Sequence, residues 1–138
     1  VAAEEDAIIT LQNEAREAAE YSYSPYSRFR VGAALLGASG KIYRGANIEN
    51  RSFGLTNCAE RSALFAALSQ GEKKFLAITI YSPDGDYPLP PCGACRQVIS
   101  EFVPPDFPVY FSGKDFQFVR VSIQDLLPHD ALHELADR

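Results

Sequence analysis

The sequence predicts an α/β layered fold, and three observations carry the prediction. Apolar residues recur at helical spacing near the start, again over 59–70, and again after Cys92. Short apolar runs of strand length separate these stretches, and turn-forming residues mark the junctions. Strands interleaved with helices cover a sheet and deliver loops from the strand ends to a common site.

From about Glu4 to Glu20, residues Ile8, Leu11, Ala15, Ala18 and Ala19 fall near one another on a helix, leaving Glu5, Glu14, Arg16 and Glu17 for water. The stretch Ser22-Tyr23-Ser24-Pro25-Tyr26-Ser27 ends that helix, because proline disfavours helix in the residue before it and serines favour turns. Arg30 to Leu36 reads as a strand, Ala38 to Lys41 as a turn and Ile42 to Ala46 as the returning strand of a hairpin. Loop-like residues from Asn47 to Asn57 lead into a helix over Ala59 to Gln70, with Gly71 where a helix-ending glycine is expected. Cys58 therefore stands at a helix start. Phe75 to Tyr81 reads as a buried central strand, which the proline- and aspartate-rich segment Ser82 to Pro91 cannot continue. A further helix follows from about Cys92 to Phe102. Val109 to Phe111 and Phe118 to Val121 are expected strands, and the tail after Pro128 reads as weakly helical.

A length of 138 residues with 46% hydrophobic composition predicts one domain over 1–138. The net charge of -5 argues against a nucleic-acid partner, which normally requires a basic face, and suits a small neutral substrate. No segment approaches the run of about 18 apolar residues that a membrane helix needs. The stretch from Val1 to Asp6 lacks the order of a signal peptide, so a cytoplasmic protein without a membrane partner is expected. Three cysteines make a poor disulfide framework, and reduced thiols are expected.

Those cysteines carry the chemistry. Cys92 and Cys95 have the spacing at which a loop entering a helix points two sulfurs at one ion; alone, the pair also reads as a redox dithiol or as half of a structural zinc site. A closed structural site needs a fourth ligand, yet there is no second CxxC, and His129 and His133 lie in the terminal segment. Cys58, Cys92 and Cys95 thus predict a three-sulfur zinc site with one position open for water, as a catalytic zinc requires. Helix N-termini favour the thiolates. Arg61 and Arg96 are candidates to donate charge-assisted hydrogen bonds to the sulfurs, against a reading as solvated surface arginines. Glu60 alone reads as a helix-start carboxylate stabilised by the dipole. In its cysteine context it is a candidate general acid/base, provided an irregular first turn brings it beside Cys58.

Cys58-Ala59-Glu60, a gap of 30 residues, then Pro91-Cys92-Gly93-Ala94-Cys95 resembles the cytidine deaminase superfamily. The resemblance extends through Ser24-Pro25-Tyr26-Ser27, Phe29, Val31 to Ala34, Asn47-Ile48-Glu49-Asn50, Arg61, Arg96-Gln97 and Leu126-Leu127-Pro128. It is to the short, homotetrameric, all-cysteine class. It implies a three-layer α/β/α fold with a mixed five-stranded sheet, and one Zn2+ per subunit on Cys58, Cys92 and Cys95. It implies that Glu60 moves protons in the hydrolytic deamination of cytidine and 2′-deoxycytidine, a step of pyrimidine salvage. By the same resemblance Phe29 packs against the pyrimidine, Asn47 and Glu49 hold the ribose 3′-hydroxyl, and the Ala59 N–H and Pro90 carbonyl read the base edge. Phe53 reaches a neighbouring subunit's pocket.

Two positions depart from the family pattern. Ala131 stands where relatives carry a phenylalanine, and Arg51 replaces a small residue near the substrate's 5′ end in the adjoining subunit. Arg51 is therefore a candidate to admit an anionic or bulky 5′ substituent, against a reading as an outward surface arginine. The rival readings are a deaminase of a modified cytosine nucleoside such as a blasticidin-type antibiotic, which Asn47 and Glu49 disfavour, a polynucleotide editor, which the acidic charge disfavours, and a noncatalytic zinc-stabilised binding module.

Overall fold

The computed structural model describes residues 2–130, with side chains from Glu5 onward. Helix α1 (Ala2–Ala18) runs into a 3-10 turn at Ala19–Tyr21. The hairpin consists of β1 (Gly32–Gly37) and β2 (Ile42–Ala46), followed by α2 (Ala59–Ser69), β3 (Phe75–Tyr81) and α3 (Gly93–Phe102). Strands β4 (Pro108–Phe111) and β5 (Val119–Ser122) and a single turn, α4 (Ile123–Leu126), complete the described chain. The five strands form one mixed sheet in the order β2-β1-β3-β4-β5, in which β3 and β4 are parallel and the other pairs antiparallel. A parallel pair needs a crossover, and α3 supplies it.

Alternation along the strands separates two apolar layers. Ala33, Leu35, Ile78, Ile80 and Val109 belong to the larger core with Ala63 and Leu64 of α2 and Ile99 of α3. Ala34, Ala77 and Tyr81 pack with Leu11 and Ala15 of α1. The expected α/β/α layering follows from that division. Thr79, buried under α1, satisfies its hydroxyl by donating to the Leu11 carbonyl at 3.0 Å.

Two glycines set how closely the helices lie on the sheet. A Cβ on Gly45 would stand 2.3 Å from the Ala63 nitrogen and 2.4 Å from the Ala59 carbonyl oxygen, so β2 accepts the backbone of α2 directly. A Cβ on Gly32 would stand 2.2 Å from the Ala15 carbonyl oxygen of α1. Gly45 thereby fixes the first turn of α2, next to Cys58.

One boundary and one element differ from expectation for identifiable reasons. Strand β1 begins at Gly32 and not at Arg30, because the N–H groups of Arg30 and Val31 donate to side chains, Asp84 and Asn47, and not to a neighbouring strand. Helix α4 was not expected; a reciprocal cap between Ser122 and Asp125 starts it, and the Ser-x-x-Asp spacing was its signal in the sequence. The expected helical tail reaches past the described residues, which end at Asp130.

Candidate active site and metal centre

The starts of α2 and α3 meet at the three cysteines. Cys58 and Cys92 are the N-caps of the two helices, both in extended conformation (φ -75°, ψ 157° and φ -66°, ψ 167°). Cys95 lies three residues on, one turn into α3 and on the same side as Cys92. The Cys58 and Cys92 sulfurs are 3.7 Å apart, the Cys92 and Cys95 sulfurs 3.4 Å, and all three lie within 4.8 Å of one another. Tetrahedral zinc with Zn–S bonds of about 2.3 Å sets its sulfurs roughly 3.8 Å apart, so the triangle fits the ion. Among the described residues it is the only cluster of histidine, cysteine or carboxylate side chains with metal-binding geometry.

Electrostatics also favour a divalent cation. The Cys58 thiol is lowered to about 5, first by the hydrogen bond it receives from Cys95 and then by Arg61 and Cys92, against the opposing effect of burial. The Cys95 thiol is pushed far upward by that same bond and by burial. Cys58 is thus the sulfur readiest to ionise, and a divalent ion is what would let Cys95 ionise beside it. The Arg61 Nη2, one of the two candidate donors, donates to the Cys58 sulfur at 3.2 Å. Its Nε is buried without a protein partner among the described residues. Three thiolates, one divalent ion and this guanidinium come to neutrality.

Arg96 corrects the other expectation. Its guanidinium donates to the Pro91 carbonyl at 2.7 Å and the Leu126 carbonyl at 3.1 Å, not to a sulfur. Arg96 therefore acts on the backbone that leads into Cys92 and ties it to α4.

Glu60 is 4% exposed. Burial, then the nearby Cys58 charge, raises its carboxyl to about 7, while the Cys95 thiol is a hydrogen-bonding neighbour. The irregular helical turn expected for this approach is not needed. Cys58 lies outside the helix in its extended cap, so the helical angle between residues two apart does not separate it from Glu60.

Asn47 and Glu49 follow β2 and hold the turn that follows α1. The Asn47 Oδ1 accepts from the Ser22 hydroxyl and, at 2.9 Å, from the Val31 N–H, while Nδ2 donates to the Phe29 carbonyl at 2.8 Å. Glu49 Oε1 accepts from the N–H groups of Tyr26 and Ser27 at 3.0 and 3.1 Å, and Oε2 accepts from the Ser27 hydroxyl. These donors, the Ser27 hydroxyl first, hold the Glu49 carboxyl below its ordinary range. Among the described residues, one Asn47 N–H and one Glu49 oxygen lone pair remain, the pairing that a ligand hydroxyl can meet. The serines were read only as helix-stopping residues; their hydroxyls are what orient the two polar side chains.

A model of the cytidine and deoxycytidylate deaminase zinc-binding region matches residues 6–111. The chain belongs to the cytidine and deoxycytidylate deaminase family. It is 52% identical to the cytidine deaminase of Halalkalibacterium halodurans over 86% of this chain and 89% of that one. It is 47% identical to the cytidine deaminase of Sporosarcina psychrophila over 83% and 84% of the two chains. The crystal structure of the Burkholderia pseudomallei cytidine deaminase superposes with a TM-score of 0.83 at 45% identity, over 86% of this chain and 94% of that one.

In this family member the remaining expected residues range from buried to exposed. Ala59, in the first turn of α2, is buried, Phe29 is partly buried, and Pro90 is exposed one residue before the buried Pro91. Phe53, in the 3-10 turn Phe53–Leu55, is 74% exposed and meets Tyr26 edge-to-face with ring centroids 5.6 Å apart. Arg51 lines a cleft of about 610 Å³ with Tyr23, Tyr26, Glu49, Asn50 and Ser52. Ala131 lies outside the described residues. No helix among the described residues is long and apolar enough to cross a membrane.

Proposed function

We propose that this chain is a zinc-dependent hydrolase that deaminates cytidine and 2′-deoxycytidine to the corresponding uridine nucleosides, releasing ammonia, as a step of pyrimidine salvage. The observation that carries the reading is a buried Glu60 set against a three-cysteine centre. Cys58, Cys92 and Cys95 would hold the ion. When bound, zinc supplies Lewis acidity that makes water a nucleophile near neutral pH.

The protein's own groups handle the protons and the orientation. Glu60, raised to about 7, takes a proton from water as it adds at C4 and delivers it to ring N3. It then takes the remaining proton of the new C4 hydroxyl and passes it to the departing amino group, which leaves as ammonia and gives the 4-oxo product. One carboxyl acts twice, and its raised pKa suits both roles. The Ala59 N–H donates to the 2-oxo group, the Pro90 carbonyl accepts from the 4-amino group, and Phe29 packs on the ring. The free Asn47 N–H and Glu49 lone pair bind the ribose 3′-hydroxyl.

Phe53 and Arg51, both exposed in the single chain, complete the pocket of a neighbouring subunit. By its likeness to the short all-cysteine class, the working form is a homotetramer of one-domain subunits in the cytoplasm, and Arg51 stands near the substrate's 5′ end. An absorbance assay of zinc-loaded protein against cytidine, 2′-deoxycytidine, cytidine 5′-monophosphate and free cytosine tests the substrate. Turnover confined to free cytosine would remove the ribose roles of Asn47 and Glu49. Glu60→Gln should retain zinc while losing about 10³-fold or more in kcat. Activity near wild type would overturn its proton role.

A further inference from the structure

We propose that Arg30 and Asp84 form a positioning pair that holds the base-packing segment, Phe29 to Val31, in register with the metal-binding loop. The inference rests on the nucleoside-deaminase reading above. The segment lies between the turn after α1 and the first residue of β1, and side chains from two directions hold it. On one side Asn47 bonds the Phe29 carbonyl and the Val31 N–H. On the other, Asp84 accepts from the Arg30 N–H at 2.8 Å, from Nε at 3.0 Å and from Nη2 at 2.9 Å.

Ser82 completes that corner. Its hydroxyl donates to the Arg30 carbonyl at 2.6 Å and accepts from the Asp84 N–H at 3.2 Å. Both backbone polar groups of residue 30 are therefore bonded to the corner at 82–84, the start of the loop that runs from β3 to Cys92. The loop is tied down farther along as well: the Gly85 carbonyl accepts from the Lys114 N–H at 2.8 Å, and Asp86 pairs with the Lys114 ammonium at 2.9 Å. A displacement of Asp84 thus reaches the Phe29 segment through Arg30, while the ties to Lys114 hold the corner itself in place.

The Arg30 and Asp84 side chains are 51% and 26% exposed, a setting in which an ion pair adds little to global stability. A guanidinium fork on a carboxylate nevertheless fixes direction at two atoms. Geometry, more than folding free energy, is what this pair supplies. Its loss should weaken nucleoside binding and leave the proton chemistry at Glu60 intact.

Arg30→Ala, Asp84→Ala and the double variant, each compared with wild type, test the pair through cytidine KM, kcat, zinc content and thermal melting. Each single variant should raise KM about tenfold with kcat within about twofold and zinc content unchanged. The double variant should resemble the worse single one, because the two residues act as a unit. Asp84→Asn, which keeps acceptor and volume, should fall between wild type and Asp84→Ala, and it carries the test if the alanine variant does not fold. Unchanged KM, multiplicative single effects in the double variant, or a fall in zinc content matching the lost activity would overturn the pair. Wild-type protein that turns over no cytosine nucleoside would overturn the reading beneath it.

Discussion

The sulfur side of the site and the loop side are held in opposite ways. Cys58 and Cys92 cap, and Cys95 lies in the first turn of, helices that pack into the larger core, so their positions follow from cap and helix geometry and close backbone packing. Asn47, Glu49 and Phe29 sit on irregular segments held by polar side chains, Ser22, Ser27 and Asp84 among them. The first arrangement tolerates almost no backbone change; the second fails one hydrogen bond at a time. A metal ion demands sulfur positions good to a few tenths of an ångström, whereas a nucleoside is met by groups that adjust around it. The exposed Phe53, Tyr26 and Leu55 on the loop side also contrast with the buried Cys95 and Glu60.

Gly45→Val should break the sulfur side most severely. The new side chain would meet the Ala59 carbonyl and Ala63 nitrogen, and backbone cannot rotate away as a side chain does. Forcing α2 off the sheet should cost about 3 kcal/mol, lowering the melting temperature by on the order of 10 °C. Displacement of Cys58 should lower zinc retention during dialysis against a chelator. Wild-type zinc retention would show that Gly45 does not set the metal geometry.

Asn47→Ala should break the loop side and spare the metal. It removes the partners of the Ser22 hydroxyl, the Val31 N–H and the Phe29 carbonyl together. Leaving such groups unpaired costs about 1–3 kcal/mol, so KM for cytidine should rise roughly 10- to 100-fold. Zinc content should remain at wild-type level, and a variant that lost both together would erase the division between the two sides.

Glu49 sharpens the comparison with the smallest effect. Its carboxyl is held below the ordinary glutamate value of about 4.3, chiefly by the Ser27 hydroxyl. A depressed folded-state pKa contributes stability that is complete above the unfolded value and is lost as pH falls through the folded one. Limited proteolysis of the 22–28 turn should therefore accelerate below about pH 4, and Glu49→Gln should show little of that dependence. An unchanged acid profile in Glu49→Gln would assign the opening to another carboxylate.

Much of the fold was legible because periodicity and punctuation agreed. Gly71 and the run from Ser82 to Pro91 end elements where the structure ends them. The boundary at Arg30 was not legible, because an apolar stretch beside a strand looks the same whether its N–H groups meet a neighbouring strand or a side chain at residue 84. Arg96 was read through its neighbour Cys95, yet its bonds run to Pro91 and Leu126. A long side chain has a reach that sequence adjacency does not direct.

By itself, the sequence determined the donor set, three thiols in a pattern with one coordination position left over, and the order of helices and strands that carries them. Those follow from residue chemistry and local spacing, which are written along the chain. Only the tertiary structure decided that Cys58 lies in an extended cap beside a buried Glu60, that Arg61 and not Arg96 meets a sulfur, and that Asn47 and Glu49 shape a loop before they face any ligand. Each depends on segments distant in sequence arriving at one place, and burial, charge compensation and hydrogen-bond partners are properties of that meeting.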